Sequence, residues 1–233
     1  MTTKRCDDTA AIRDILEIGK RMYAAGFAAA NDGNISVRIS ESEVWTTPSG
    51  VSKGFMTKEM LVKTDMDGNV ICSGKDERGR NLKPSSELKM HLAIYRTLPD
   101  AGAVVHAHPP VSTSFAAAGI PLDKAYLQES VVRLGIIPVV PYALPGSKEL
   151  AGSVAEYCRD YNGLLLEHHG AVTWAEDAVQ AFYLMESIEY YAKVSMNLRL
   201  MGLERPMTEA QIDELIGLRS VWGVTKGGRP QGR

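Results

Sequence analysis

The segment spanning residues 104–110 constrains this chain more than any other, because it combines a strand with two potential metal ligands. Val104 and Val105 favour extended backbone, and the two prolines that follow the histidines end a strand. His106 and His108 are two residues apart, so both imidazoles project from the same face of that strand. Neighbouring imidazoles suit chelation of one divalent metal ion, although two half-exposed histidines at a strand edge would give the same pattern.

Histidine is scarce in this chain, which makes its clustering informative. There are five histidines, and the other three are His91, His168 and His169. A third metal ligand is therefore expected from the last two, which are adjacent and face opposite ways on extended backbone. The same pair could instead be one buried, hydrogen-bonded histidine and one solvent-facing histidine. Three imidazoles with one open position are typical of a catalytic zinc site.

Composition limits the classes of protein to which the chain can belong. It has 233 residues, a net charge of −2 and 45% hydrophobic residues, which are ordinary values for a soluble globular protein. The small charge argues against nucleic acid and membrane as partners, and no apolar run reaches the roughly 20 residues that span a bilayer. Cys6, Cys72 and Cys158 form no disulfide framework and no Cys-x-x-Cys motif. With a polar N-terminus, these features predict a cytoplasmic protein.

Helical and strand patterns alternate along the chain, and no linker separates two cores. We therefore expect one α/β domain over residues 1–225 and a flexible Gly/Pro/Arg-rich tail over residues 226–233. Residues 120–135 give no clear pattern. The predicted helices cover 9–25, 85–97, 110–118, 147–159, 177–200 and 208–218, and the predicted strands cover 35–39, 43–47, 61–64, 70–71, 104–108, 136–140 and 164–166.

Two serines stand where a helix is predicted to begin, in the segment Pro84-Ser85-Ser86-Glu87. Their hydroxyls, the free backbone N–H groups and the positive end of the helix dipole together suit a phosphate group. Serine is also a favoured N-cap and glutamate is favoured in a first turn, so these residues alone favour simple capping. Glu87 is either a general base or a first-turn carboxylate, and His91 lies on the same helix face.

Two turns rich in hydrogen-bond donors flank the first predicted strands. They are Asn31-Asp32-Gly33-Asn34 and Thr47-Pro48-Ser49-Gly50. Glycine lets a backbone approach a ligand closely, and Asn and Ser side chains can donate hydrogen bonds to it. Both segments also fit ordinary turns, which is what the residues alone favour.

Taken together, these segments resemble the class II aldolase/adducin family, whose motifs occur in the same order over residues 10–220. The resemblance implies a single three-layer α/β/α domain around a largely antiparallel sheet. It also implies a homotetramer with active sites at subunit interfaces, and a phosphosugar as the small-molecule partner. The motifs are Gly33-Asn34-Ile35-Ser36, Thr47-Pro48-Ser49-Gly50, Pro84-Ser85-Ser86-Glu87, Val105-His106-Ala107-His108 and His168-His169-Gly170.

Carried over residue by residue, the resemblance assigns a role to each motif. Glu87 matches the catalytic carboxylate, and Tyr126 is the candidate for the tyrosine that protonates the aldehyde oxygen. The implied metal is Zn²⁺, with Mn²⁺ or another divalent ion as alternatives. Asn31-Asp32 replaces a Gly-Thr of relatives, which removes a hydroxyl from the phosphate pocket, and Trp222 stands near the position of a C-terminal tyrosine. The implied metal ligands are His106, His108 and His169, and the implied phosphate-binding residues are Asn34, Ser49, Gly50, Ser85 and Ser86.

The resemblance further implies a lyase of carbohydrate metabolism. Such an aldolase would cleave a ketose 1-phosphate to dihydroxyacetone phosphate and an aldehyde through a metal-stabilised enediolate. Fuculose, 5-deoxyribulose and methylthioribulose 1-phosphates are candidate substrates. Family 4-epimerases carry Asp at the position of Glu87, which favours the aldolase branch, while a methylthioribulose-1-phosphate dehydratase stays open. Adducin-like interaction modules are expected to lack the full set of histidines and carboxylate found here.

Overall fold

The computed structural model describes residues 6–233, which form one eight-stranded sheet with helices on both faces. The strands are β1 (Asn34–Arg38), β2 (Glu43–Thr46), β3 (Val62–Asp65), β4 (Val70–Cys72), β5 (Ala103–Ala107), β6 (Val139–Val140), β7 (Gly163–Leu166) and β8 (Gly170–Ala175). The helices are α1 (Asp8–Ala24), α2 (Leu88–Thr97), α3 (Pro110–Ala117), α4 (Gln128–Arg133), α5 (Lys148–Tyr157), α6 (Ala178–Met201) and α7 (Glu209–Gly217). Short 3₁₀ helices lie at Lys53–Phe55, Lys58–Met60 and Arg219–Trp222.

The sheet has the strand order β4-β3-β2-β1-β5-β8-β7-β6. Neighbouring strands are antiparallel except for the edge pair β6–β7, which is parallel. In the central strands, Asn34 of β1 pairs with His106 of β5, and Ala107 of β5 pairs with Ala171 of β8. The start of β1, the end of β5 and the start of β8 therefore meet at one end of the sheet.

Alternation along β5 sends neighbouring side chains into two separate cores. Val105 packs on the side of α1, α3 and α6, in a cluster that includes Phe182. Val104 packs on the side of α2 and α5, with Leu92 and Val154. Burying each of these side chains contributes roughly 1.5–3 kcal/mol. The result is the three-layer α/β/α arrangement with a mostly antiparallel sheet, as predicted.

Polar caps explain where the long helices begin. Asp7, Ser147, Asp177 and Thr208 each accept a hydrogen bond from the backbone N–H three residues later. A cap of this kind contributes about 1 kcal/mol. The longest helix, α6, ends at Gly202, whose φ of +65° is a left-handed conformation that glycine adopts without strain. Within residues 6–233, no helix has both the length and the apolar character needed to cross a membrane.

The structure differs from the sequence prediction in the region after β5. The strand predicted over residues 136–140 is reduced to Val139–Val140, because Ile137 pairs with Leu122 in an isolated bridge outside the sheet. The unassigned residues 120–135 contain α4. The sequence pattern failed here because these contacts are made outside the regular sheet, where strand periodicity does not apply.

The C-terminal tail, which stays a predicted flexible segment, makes backbone hydrogen bonds with the domain. The N–H of Gly227 donates to the carbonyl of Asp160, and its carbonyl accepts from the N–H of Ile136. The carbonyl of Gln231 accepts from the N–H of Ala125. These bonds place the tail beside the same segment that the sequence left unassigned.

Candidate metal and substrate site

The three predicted metal ligands converge at one end of the central strands. His106 lies within β5, His108 follows its last residue, and His169 lies in the turn that joins β7 to β8. Because β5 and β8 pair in antiparallel register, this turn lies beside the end of β5. The backbone N–H of His108 donates to the carbonyl of Phe27 at 2.8 Å, which fixes the path of the chain as it leaves the strand.

The geometry of the three imidazoles fits one divalent metal ion. One nitrogen from each ring lies within 4.8 Å of the others, and Nε2 of His106 is 3.1 Å from Nε2 of His108. Nδ1 of His106 lies 2.9 Å from the carbonyl oxygen of Ala171 and donates to it, which leaves Nε2 free to bind a metal. His168 is exposed and has a φ of +57°, so the turn directs His169 rather than His168 towards the cluster.

Glu87 brings a carboxylate against the histidine cluster. It directly precedes α2 and is 7% exposed. Its Oε2 lies 3.2 Å from Nε2 of His106, and its Oε1 lies 3.3 Å from Nε2 of His169. Asn34 donates from Nδ2 to Oε2 at 2.8 Å, whereas Oε1 is buried and has no hydrogen-bond partner among residues 6–233. Asn34 therefore anchors one carboxylate oxygen, while the other faces the His169 ring.

The electrostatics of the cluster divide its members into two kinds. Burial raises the pKa of Glu87, but the nearby His106 and His169 and the bond from Asn34 outweigh it and lower this pKa below its ordinary value. Burial lowers the pKa of His106, but Glu87 outweighs it and raises the pKa above 6.5. Burial, then His106, lowers the pKa of His108 and of His169 to about 4. Glu87 therefore favours the charged form of His106, whereas burial favours the neutral forms of His108 and His169.

Two carboxylates that support the cluster were missed by the sequence reasoning. Oδ2 of Asp32 lies 3.5 Å from Nδ1 of His108, an arrangement that orients a metal-binding imidazole. Glu189 of α6 is 1% exposed and accepts from the N–H groups of Val111 and Ser112 at 3.1 and 2.8 Å. It thereby caps α3 just after His108. The position of Asp32 in the turn before β1 could have indicated a carboxylate near the site. Glu189 lies inside a predicted helix, where no local pattern indicates a role at the site.

His91 belongs to a separate buried network. Its Nδ1 is 2.7 Å from Oγ of Ser36, which in turn lies 2.8 Å from the hydroxyl of Tyr95. Burial, with a smaller contribution from His106, lowers the pKa of His91 to about 3, so this imidazole is neutral at pH 7. Glu87 and His91 share a stretch of chain but occupy different electrostatic environments.

The predicted phosphate-binding turns lie side by side next to Glu87. An isolated β-bridge joins Pro48 to Pro84, which holds one turn against the other. Neither serine caps α2, because Glu87 occupies the N-cap position and Ser85 Oγ accepts from the Glu87 N–H at 3.3 Å. The simple capping interpretation is therefore wrong for this helix. The exposed members of the two turns are Ser49, Gly50 and Ser86.

Two other predicted site residues have partners of their own within the chain. Asn34, predicted to bind phosphate, donates to Glu87. The Tyr126 hydroxyl donates to a carboxylate oxygen of Glu204, and Tyr126 packs against the core on the α6 side of the sheet. Trp222, noted near the position of a C-terminal tyrosine, is 62% exposed. The roles predicted for Asn34 and Tyr126 stay predictions.

The chain belongs to the class II aldolase and adducin family, since the model of that family's N-terminal domain matches residues 13–196. An L-fuculose phosphate aldolase from Haemophilus influenzae is 33% identical over 211 residues, which cover 90% of this chain and 94% of the relative. A 3-oxo-tetronate 4-phosphate decarboxylase from the same species is 31% identical over 206 residues, covering 86% and 93%. A solved L-fuculose 1-phosphate aldolase has a TM-score of 0.80 and 27% identity, covering 92% of this chain and 98% of the other.

Proposed function

We propose that this chain is a metal-dependent aldolase that cleaves a ketose 1-phosphate to dihydroxyacetone phosphate and an aldehyde. The observation that carries the proposal is the Glu87 carboxylate. It is buried, its Oε1 makes no hydrogen bond within residues 6–233, and it lies against His106 and His169, two of the three imidazoles that could hold a metal ion. A carboxylate in these surroundings is placed to transfer a proton at a carbon next to a metal-bound substrate. The similarity to a fuculose phosphate aldolase supports the same reaction.

The donor set favours zinc, with manganese or another divalent ion as alternatives. His106, His108 and His169 would hold the ion. Asp32 would orient His108, and the carbonyl of Ala171 would orient His106. When bound, the metal would act as a Lewis acid on the carbonyl group of the substrate.

The chain's own groups would bind the substrate and move its protons. The exposed turns that carry Ser49, Gly50, Ser85 and Ser86 would take the phosphate. Breaking the C3–C4 bond leaves the bonding electrons on the three-carbon half, which gains a proton at C3, while the C4 hydroxyl loses one as the aldehyde forms. Because the pKa of Glu87 is lowered, its carboxylate would first take up a proton, which the C4 hydroxyl supplies, and would then deliver a proton to C3. Tyr126 is the predicted group for the proton on the aldehyde oxygen.

The decarboxylase relative favours a second reaction at the same site. In 3-oxo-tetronate 4-phosphate, as in a ketose 1-phosphate, a phosphorylated CH₂, a ketone and a hydroxyl-bearing carbon follow one another. Loss of CO₂ from the first compound and of an aldehyde from the second therefore leave the same product, dihydroxyacetone phosphate. The two reactions share the metal, the phosphate pocket and the proton-transferring carboxylate, and differ in the group that leaves.

A product-resolved assay on the metal-reconstituted protein separates these reactions. The panel would contain the 1-phosphates of fuculose, rhamnulose, ribulose, 5-deoxyribulose and methylthioribulose, together with 3-oxo-tetronate 4-phosphate. We expect aldehyde and dihydroxyacetone phosphate in equal amounts from at least one ketose, and loss of both in His108→Ala. Release of CO₂ from the tetronate without aldehyde from any ketose would replace the aldolase with the decarboxylase. A product that has only lost water would indicate a dehydratase.

We also propose a cytoplasmic homotetramer with active sites between subunits, as the family resemblance implies. Multi-angle light scattering of the purified protein measures its assembly directly. We expect four times the mass of one chain. A fully active monomer would contradict the proposal, since no site residue would then come from a neighbour.

A further inference from the structure

Lys53 is a buried cation that the proposed reaction does not yet use. It begins the 3₁₀ helix Lys53–Phe55 and is 2% exposed. Its Nζ donates to the carbonyl oxygens of Asn31 at 2.7 Å and of Val51 at 2.6 Å. Both partners are neutral, and within residues 6–233 the ammonium group makes no ion pair with a carboxylate.

The two carbonyls belong to the two donor-rich turns around the proposed site. Asn31 opens the turn that carries Asp32, which contacts His108, and Asn34, which holds Glu87. Val51 directly follows Ser49 and Gly50, which are proposed to bind the phosphate. Through Nζ, the side chain of Lys53 therefore joins the turn on the metal side of the site to the turn on the phosphate side.

If Lys53 had only a structural role, joining the two turns through a buried ammonium group would be energetically unfavourable. Removing an ammonium group from water without a carboxylate in contact costs free energy. Burial lowers the pKa of Lys53 to about 8, although the charge of Asp32 offsets part of this effect. An apolar side chain of similar length would fill the same space without that cost. The cost is offset when an anion is bound nearby, because a buried charge is poorly screened and acts strongly on it.

We infer that Lys53 is a positioning residue for the phosphorylated end of the substrate. It fixes the Asn31–Asn34 turn relative to the Ser49–Val51 turn and adds a positive charge beneath the phosphate-binding turns. This inference rests on the proposed function, because it assumes that an anionic group binds at those turns. Lys53 acts through the two turns and does not itself carry out the chemistry.

The variants Lys53→Met and Lys53→Arg test the inference, with Lys58→Met as the matched control on the neighbouring, exposed 3₁₀ helix. We expect the KM for a ketose 1-phosphate, and the Ki for inorganic phosphate as a competitive inhibitor, to rise about tenfold in Lys53→Met. Metal content and kcat should change much less. Lys53→Arg keeps the charge and should recover part of the affinity, and Lys58→Met should behave as the unmodified chain.

A purely structural role gives a different pattern. It would lower the melting temperature and leave the KM and the Ki for phosphate unchanged, and that result would overturn the inference. Failure of both Lys53 variants to fold would overturn it too, because Lys53 would then determine stability rather than substrate binding.

Direct calorimetric binding of inorganic phosphate to the metal-loaded protein separates this inference from the proposed reaction. If no ketose phosphate is cleaved but phosphate binds, and binds about tenfold more weakly to Lys53→Met, the role of Lys53 stands while the aldolase proposal fails. If turnover occurs and phosphate binds both proteins equally, the aldolase stands and the inference fails. If the unmodified protein binds no phosphate, the inference fails.

Discussion

His106 and His91 are both buried, at 0% and 1% exposure, yet they have opposite electrostatic properties. His106 faces Glu87, whose carboxylate outweighs the effect of burial and raises the pKa of the imidazole. His91 is next to the hydroxyl of Ser36, and burial lowers its pKa to about 3. The surroundings of the first imidazole favour its charged form, whereas those of the second keep it neutral in the core.

The difference shows that burial does not decide what a histidine does in this fold. The neighbour decides, because a carboxylate stabilises the charged imidazole whereas a hydroxyl can bond the neutral one. A change at His106 should therefore affect metal and chemistry, and a change at His91 should affect stability.

The largest effect is expected from His106→Ala. Removing the central imidazole should abolish stable metal binding and lower activity by on the order of a thousandfold, because the Lewis acid is lost. Metal content after dialysis, measured by mass spectrometry, checks the first outcome. His91→Asn is the matched control and should keep its metal. Full metal retention in His106→Ala would show that His106, like His91, is not needed to bind the metal.

The next largest effect is expected from Glu87→Gln, which keeps the shape of the side chain and removes its charge. We expect metal to stay bound and kcat to fall about 10²–10⁴-fold, since general acid–base catalysis contributes that much. Steady-state kinetics on the metal-loaded variant measure it. Intact activity with metal bound would remove Glu87 from the mechanism.

For His91, the expected effect of substitution is on the free energy of unfolding rather than on metal binding. The substitution leaves a cavity and should lower the free energy of unfolding by about 1–3 kcal/mol at pH 7. Urea unfolding of the metal-free protein measures the loss. An unchanged free energy of unfolding in His91→Asn would show that the buried imidazole does not stabilise the core.

The pH dependence of that stability difference has a predicted sign. The pKa of His91 is about 3 in the folded state against 6.5 for an ordinary histidine, so the unfolded chain binds the extra proton between these values. The stability due to neutral His91 is complete above pH 6.5 and is lost as pH falls towards 3. The penalty of His91→Asn should therefore fall by up to about 1.4 kcal/mol per pH unit in that window, which is enough to reverse its sign before pH 3. A constant penalty from pH 7 to pH 4 would contradict the assignment.

The smallest effect is expected from Asp32→Asn. Losing the carboxylate beside His108 should weaken metal affinity about tenfold, as is usual for residues that orient a ligand. Competition with a chromogenic chelator measures it. Asp67→Asn, in an exposed turn, is the control. Equal affinities for the two variants would show that Asp32 does not orient His108.

Much of this site was predictable because its motifs are local. The i, i+2 spacing of His106 and His108 within a strand is sufficient to place both imidazoles on one face. Glycines and serines at turns marked the segments that the structure brings next to Glu87. By contrast, adjacent His168 and His169 could not be told apart by periodicity, because the left-handed backbone of His168 decides which ring faces the cluster.

Other features depend on residues that are distant in sequence. Asn34 and Glu87 are 53 positions apart, and Val111 and Glu189 are 78 apart, so no local pattern links them. Lys53 stands in a segment without a predicted helix or strand, and the structure buries it.

The sequence by itself predicted most helices and strands and the His106–His108 pair, because strand alternation, caps and turns are properties of neighbouring residues. It predicted neither α4 nor β8. Only the tertiary structure decided which groups touch. The antiparallel register of β1, β5 and β8 sets the distances between carboxylate and imidazoles. Those distances, together with burial, set the pKa values on which the proposed chemistry depends.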